Sequence, residues 1–285
     1  MLHAPRDPRT SLPAFGQLPR TTDLDEVTTR VLAPNPSPMT LDGTNTYVVG
    51  GPDGAVIVDP GPADPTHLGA VEGVVARRDL DVVAVAVTHH HVDHAQAAAD
   101  WAHRFGARLF ATTPAVAGAA GTVLSDDDVI RAGPTSLRAV TTPGHCGDHV
   151  AYRLDGGALL SGDHVLGRGT SVVAHPDGDL AAYLDSLRRV LDLGPHALYP
   201  GHGPELTDDP SAVLQFYLDH REFRQQQILQ VIEQDGPSTP GEIVAQVYAE
   251  VDRVLWPAAE ASTRAALQAL TDRGQVAPDG DRFQR

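Results

Sequence analysis

The stretch Thr88-His89-His90-His91-Val92-Asp93-His94 constrains this chain more than any other. It follows an apolar run, Val82 to Val87, that reads as a fully buried strand. It precedes Ala95-Gln96-Ala97-Ala98-Ala99-Asp100-Trp101, which reads as the start of a helix. Three histidines and an aspartate therefore sit on a strand-to-helix turn, where α/β proteins place their chemistry. Residues two apart in an extended segment point the same way, so His89 and His91 can share one metal ion. Asp93 and His94 fall where the chain turns into the helix and can aim at a second point nearby. Imidazole and carboxylate suit zinc, and iron or manganese less selectively. Alone, such a stretch reads more readily as a histidine-rich loop without metal. The rest of the chain supplies matching donors.

Those donors follow apolar segments in turn. Val56-Ile57-Val58-Asp59-Pro60-Gly61 lies upstream, and Thr142-Pro143-Gly144-His145, Leu160-Ser161-Gly162-Asp163 and Tyr199-Pro200-Gly201-His202 lie downstream. Five motifs in this order resemble the signature of the metallo-β-lactamase-fold superfamily of metallo-hydrolases. The resemblance implies an α/β fold, an αββα sandwich with its site on the sheet-end loops. It implies that His89, His91 and His145 hold a first divalent ion, that Asp93, His94 and His202 hold a second, and that Asp163 bridges both with a water or hydroxide. Asp93, His94 and Asp163 are then the catalytic residues as well. Two ions roughly 3.5–4 Å apart acidify the shared water and polarise the bond under attack, so no side-chain nucleophile is needed. Zinc is the expected metal from ligand type, with iron and manganese open. Asp59 is expected to orient the ligand loop by hydrogen bonds rather than to bind metal.

Neighbouring residues are read against that set. His90 lies between two donors and should point away from them. His164 follows Asp163 and is read as structural. Cys146, standing where many relatives have threonine, is read as a contact beside the donors rather than as a ligand or nucleophile. The motif ends Asp93-His94 rather than Asp-Arg, a departure from the zinc β-lactamase pattern that argues against antibiotic hydrolysis. The full second donor set argues against the single-iron persulfide dioxygenases.

Composition narrows the partners. The net charge is −16 and the chain contains no lysine. Such a surface disfavours broad nucleic-acid binding without excluding a local arginine patch. One cysteine excludes an internal disulfide and fits the cytoplasm. The first 20 residues are polar and proline-rich, without the apolar core of a signal peptide. No run approaches the roughly 18 apolar residues of a membrane helix.

The chain divides into a lead-in over 1–25, a catalytic domain over 26–207 and a C-terminal domain over 208–285. The loop 31–45 and the strand Thr46–Val49 resemble the N-terminal region of the beta-lactamase-like protein 2 group and related fungal polyketide thioesterases, where the loop borders the mouth of the site. Expected elements include helices over Thr66–Arg78, Asp93–Phe105 and Asp179–Leu193, and strands over Gly54–Asp59, Asp81–Thr88, Leu109–Ala111, Ser136–Thr141, Ala197–Tyr199 and a short Ser171–Ala174. Asp155-Gly156-Gly157 predicts a hairpin between His149–Leu154 and Ala158–Ser161. Pro114–Gly121 reads as a flexible stretch. A long helix opens at Pro210 and breaks at Asp235-Gly236-Pro237-Ser238. Two more helices, from Pro240 and over Ala258–Arg273, precede a small hairpin over Gln275–Phe283. Three helices and a hairpin resemble a winged helix, with a His220-Arg221 pair like that of the beta-lactamase-like protein 2 group. The last helix sets Arg264 and Arg273 against Glu260 and Asp272, so it carries no basic stripe and is read as a packing or homodimer surface.

The expected activity is hydrolysis of an ester-type bond on a dinuclear centre: a small-molecule thioester or carboxyl ester, or an RNA phosphodiester. Single-stranded RNA cleavage as the main activity stays open. So does a winged-helix regulator with a vestigial metal site, against which stands the complete donor set.

Overall fold

The computed structural model describes residues 3–285. The chain enters as an antiparallel run, β1 (Thr21–Asp23), β2 (Thr28–Leu32), β3 (Asn45–Gly51) and β4 (Gly54–Val58). Helix α1 (Pro65–Arg77) then crosses to β5 (Val82–Ala86), which lies parallel to β4. The short helix α2 (Val92–Ala95) and α3 (Ala98–Phe105) lead to β6 (Arg108–Ala111), and α4 (Pro114–Ala117) leads to β7 (Thr122–Val123). These seven strands form one sheet in sequence order. The second sheet holds β8 (Val129–Ala132), β9 (Thr135–Thr141), β10 (Val150–Leu154), β11 (Leu159–Gly162) and β12 (Leu198–Pro200), also in order. Helix α5 (Leu180–Leu193) connects β11 to its parallel neighbour β12.

Strand periodicity builds the layers. In β5, Ala84 and Ala86 face the second sheet, while Val85 packs with Val71, Val74 and Trp101 of α1 and α3. In β10, Val150, Tyr152 and Leu154 fill the space between the sheets, and Ala151 turns outward toward Tyr183 and Leu187 of α5. The result is helix, sheet, sheet, helix: the αββα sandwich.

Beyond β12 come α6 (Pro210–Asp235), α7 (Pro240–Val247), α8 (Trp256–Asp272) and a hairpin of β13 (Ala277–Asp279) and β14 (Arg282–Gln284). Three helices and a wing hairpin make the winged helix. One apolar cluster runs from Val140 and Leu198 of the second sheet through α5 and α6 to Leu267 and Leu270 of α8. Among the described residues, no helix is long and apolar enough to cross a membrane.

Three expectations are corrected. The helix expected over Asp93–Phe105 is interrupted, because Gly61 inserts into it: its N–H donates to His94 O, and Ala97 N–H donates to Gly61 O. Ser171–Ala174 pairs with no strand; Ser171 O accepts from Arg221 and Val172 O from His145, so its carbonyls serve side chains instead of a ladder. The stretch Pro114–Gly121 opens with a helical turn, α4, rather than being structureless.

Candidate metal centre

The loops leaving the C-terminal ends of β4, β5, β9, β11 and β12 meet at one edge of the sandwich. The parallel pairings of β4 with β5 and of β11 with β12, and the two antiparallel steps from β9 to β11, force this. Asp59 leaves β4, His89 to His94 follow β5, His145 follows β9, Asp163 follows β11 and His202 follows β12.

The structure brings all seven residues singled out as donors together in two adjoining groups. In one, His91 Nδ1 lies 2.9 Å from His89 Nε2 and 3.1 Å from His145 Nε2. In the other, His202 Nε2 lies 3.2 Å from His94 Nε2 and 3.2 Å from Asp93 Oδ2. Asp163 stands between them. Its Oδ1 lies 3.4 Å from His202 Nε2 and 3.5 Å from His94 Nε2, and its Oδ2 lies 3.8 Å from His145 Nε2.

The far nitrogen of four of these rings is fixed by an acceptor. His145 Nδ1–H donates to Val172 O at 2.6 Å, and His202 Nδ1–H to Gly43 O at 3.2 Å. Asp59 organises the other two. It accepts from Thr88 N–H (2.7 Å), Thr88 Oγ1–H (2.8 Å) and His94 Nδ1–H (2.8 Å). Thr88 Oγ1, having donated, accepts from His89 Nδ1–H at 2.9 Å. In the neutral ring each Nε2 then carries its lone pair toward its neighbours. Lone pairs converging at this range are relieved either by a shared proton or by a cation among them. A tetrahedral zinc with bonds of about 2.0–2.1 Å separates its nitrogen donors by roughly 3.3 Å, close to the spacings here. Asp163 Oδ1 is buried with no hydrogen-bond partner. A lone carboxylate oxygen in that position fits a divalent ion on chemical grounds.

Electrostatics differ between the groups. Burial drives the pKa of His89 well below the ordinary value and that of His91 down to about 4. Burial opposes charge on His94 and His202 too, but the carboxylate of Asp163, aided by Asp59 or Asp93, outweighs it: His94 rises well above its usual range and His202 to about 9. Asp163 is held well below the usual carboxylate range, the neighbouring His202 and His94 overcoming the cost of burial.

Backbone geometry accommodates this crowding. A Cβ on Gly201 would lie 2.5 Å from Asp163 Oδ1 and 2.8 Å from His94 Cε1, so only glycine lets β12 approach the donors. Asp59 itself has φ of +52°, a strained conformation that its three accepted hydrogen bonds hold in place.

Of the bystanders, His90 turns outward and pairs with Asp148 Oδ1 at 2.7 Å. His164 is fully buried, its ring 5.0 Å from that of Tyr183, and faces no donor. Cys146 Sγ lies near the first histidine group but donates to Asp148 Oδ1 at 3.2 Å; burial and that carboxylate push its thiol pKa up, away from a nucleophile. Sequence reasoning missed His149. Its Nε2 accepts from Asp163 N–H at 3.1 Å while Nδ1–H donates to Thr142 Oγ1, which holds the loop carrying Asp163. It missed His67 too, whose Nε2–H reaches Thr46 Oγ1, itself donating to Asp59 O. Neither belongs to a local pattern; only the fold brings them under the donors.

The pattern described as the Metallo-beta-lactamase superfamily matches residues 39–116 and 111–202. This chain belongs to the metallo-β-lactamase superfamily. It is a hydrolase of that superfamily, and residues 239–284 match its associated winged helix domain. A Beta-lactamase-like protein 2 homolog from Drosophila melanogaster is 32% identical over 293 residues, covering 91% of this chain and 92% of that protein. An atrochrysone carboxyl ACP thioesterase from Aspergillus chevalieri is 32% identical, over 93% and 86% of the two chains. The crystal structure of a beta-lactamase domain protein from Burkholderia ambifaria superposes with a TM-score of 0.82 at 23% identity, over 99% of this chain and 100% of that one.

Proposed function

We propose that this metallo-β-lactamase-superfamily hydrolase is a dinuclear metal-dependent enzyme that cleaves thioesters and related carboxyl esters. One observation carries the reading: two donor groups flank Asp163, one against each of its carboxylate oxygens. His89, His91 and His145 would hold one ion, Asp93, His94 and His202 the other, and Asp163 both. Bound there, the pair of ions supplies an acidified water and polarises the acyl carbonyl.

The protein's own residues do the rest. Asp59, through Thr88 and His94, keeps Nε2 of His89 and of His94 pointed inward. His149 pins the backbone of Asp163. Asp93 is the donor carboxylate most open to solvent, its side chain a quarter exposed, so it is placed to orient an approaching water by accepting a hydrogen bond from it. Water adds to the carbonyl carbon, the C–S bond breaks, and acid and thiol depart. A thiolate leaves without prior protonation at neutral pH far more readily than an alkoxide, since thiol pKa values lie near 8.5. The thioesterase relative, alike over nearly the whole chain, and the acidic surface both favour an acyl over a nucleic-acid substrate.

The test combines metal content by mass spectrometry with turnover of S-hexanoyl-N-acetylcysteamine and of a fluorescent single-stranded RNA. Near two metals per chain and thioester turnover are expected. Asp163→Ala should cut that turnover roughly a thousandfold or more, about 4 kcal/mol of barrier. RNA cleavage with an inert thioester would move the substrate to phosphodiesters. Failure to bind metal after refolding with zinc would end the mechanism.

A further inference from the structure

A cavity of about 380 Å³ lies between the loop 166–172, α6 and the start of α8. That is the size of a small-molecule pocket. It shares a wall with the donor cluster. Val172 O holds His145, while the adjacent Ser171 O holds Arg221 inside the cleft. Leu41, another lining residue, packs against Gly203 beside His202. The lining is mixed: Met39, Leu41, Val172, Phe216, Val251 and Leu255 form an apolar surface, and Arg221 and Arg224 project from α6.

The arginines are the unusual part. The cleft's one lining carboxylate, Asp7, is spent on a third arginine, Arg9, which it grips with both oxygens at 2.8 and 2.7 Å. Arg221 is 6% exposed; it donates to Ser171 O and stacks over Tyr183, but meets no acid, and its Nε has no partner. Arg224 donates to Val247 O and Gln227 Oε1 and stacks 4.5 Å from the Tyr248 ring centroid, again without an acid and with Nε unpartnered. Burial and the neighbouring Arg221 lower the pKa of Arg224, as expected for an uncompensated cation. Arg168, a fourth lining arginine, donates to Pro13 O and likewise meets no acid, with its Nε unpartnered. Guanidinium groups without counter-ions among the described residues, in a chain of net charge −16, are costly unless something anionic enters.

We propose that this cleft binds an anionic oxygen group carried by the thioester substrate, with Arg221 and Arg224 gripping the anion and the apolar wall taking the connecting chain. The proposal rests on the thioesterase reading and deepens it. The anion has two chemical sources: a carboxylate at the far end of the acyl chain, or a phosphate on the thiol arm. Guanidinium recognises both in the same way.

Hydrolysis of matched thioesters decides. S-adipoyl- against S-hexanoyl-N-acetylcysteamine reads an acyl carboxylate; S-hexanoyl-phosphopantetheine against S-hexanoyl-pantetheine reads an arm phosphate. In one pair, wild-type kcat/KM should favour the anionic member about tenfold, mainly through KM. Arg224→Met should bring that ratio toward one, and Arg221→Met should do the same if it folds. Ala258→Trp, which fills the cleft from α8 without replacing an arginine, should raise KM for the favoured substrate. Equal treatment of both members of both pairs, or a preference that survives Arg224→Met, overturns the proposal. Calorimetry with the uncleavable thioether S-(5-carboxypentyl)-N-acetylcysteamine and with the S-hexyl thioether of phosphopantetheine, each against its uncharged counterpart, reads the cleft without turnover. Preference for an anionic thioether, abolished by Arg224→Met, in a protein that cleaves no thioester would sink the thioesterase reading and keep the subsite. Thioester cleavage with no anionic preference in either assay would do the reverse.

Discussion

The metal-donor edge and the C-terminal winged helix are built on opposite principles. At the edge, buried polar groups outnumber apolar ones, and imidazole orientations are fixed by acceptors such as Asp59, Gly43 O and Val172 O. In the C-terminal module, apolar faces carry the packing: Ile243 and Val247 of α7 meet Leu267 and Leu270 of α8. A network fails through its weakest hydrogen bond, whereas an apolar face tolerates moderate change. The contrast predicts that damage at the edge appears in metal content and activity, and damage in the module appears in stability.

The largest expected effect tests whether both regions share one weakness, a histidine held neutral by its surroundings. His67 lies beneath the edge, where burial and the charge of Arg20 lower its pKa to about 4 against the weak opposing pull of Asp64. His220 lies on α6, where burial and then Arg221, Arg224 and Arg9 lower its pKa to about 3, with Asp7 opposing. For each, the unfolded chain binds the proton more readily. The stability tied to the neutral form is complete above the ordinary value of about 6.5 and drains as pH falls toward the folded pKa. The loss is of order 3–5 kcal/mol per histidine if the group charges fully. Urea titrations of chelator-treated protein from pH 7 to 4 should show this slope, and His220→Phe should remove about 1.4 kcal/mol per pH unit of it. An unchanged slope would place the acid sensitivity elsewhere.

A smaller effect separates the regions. Asp59→Asn keeps size and tolerates the positive φ. An amide offers one acceptor oxygen where the carboxylate accepts from Thr88 and His94 on two. One neighbour then faces an N–H₂ group, and the inward aim of His89 and His94 is lost. Metal affinity or turnover should drop about ten- to a hundredfold. The metal-free protein should also lose about 1–3 kcal/mol, because one buried group is then mispaired. A stability loss with metal affinity and turnover unchanged would show that Asp59 supports the fold without positioning the site.

The same contrast explains what could be read from the sequence. The donors sit in short motifs after apolar strands, so their convergence was legible residue by residue. So was helix α5, expected over Asp179–Leu193 from local periodicity and found at Leu180–Leu193. The strand β2 was not, because Thr28-Thr29-Arg30 carries no apolar signal. It is buried through pairing with β3 and through Arg30, which reaches across to Glu205 at 2.9 Å. The strand β8 was overlooked likewise, being defined by its partner β9. His149 and Arg224 belong to no motif, and Arg221 enters the sequence pattern only as one half of the His220-Arg221 pair, without a role. Their roles arise from contacts such as Arg221 with Ser171, 50 positions apart, which periodicity cannot report.

The smallest expected effect probes the module alone. Thr239 caps α7 in a reciprocal box: its Oγ1 accepts from Glu242 N–H at 3.2 Å, and Glu242 Oε2 accepts from Thr239 N–H at 2.8 Å. The same carboxylate takes both ends of the Arg282 guanidinium at 3.0 Å, fastening the wing hairpin to the start of the helix. Thr239→Ala removes only the hydroxyl and leaves Glu242 free to hold Arg282. An exposed cap is worth about 1 kcal/mol, so the melting temperature should fall by only about 2 °C. Metals per chain and thioester turnover should match wild type, because no donor or acceptor at the sheet edge leans on this cap. If the substitution lowered metal content, the winged helix would be shown to brace the metal edge, and the division of labour between the two regions would fall.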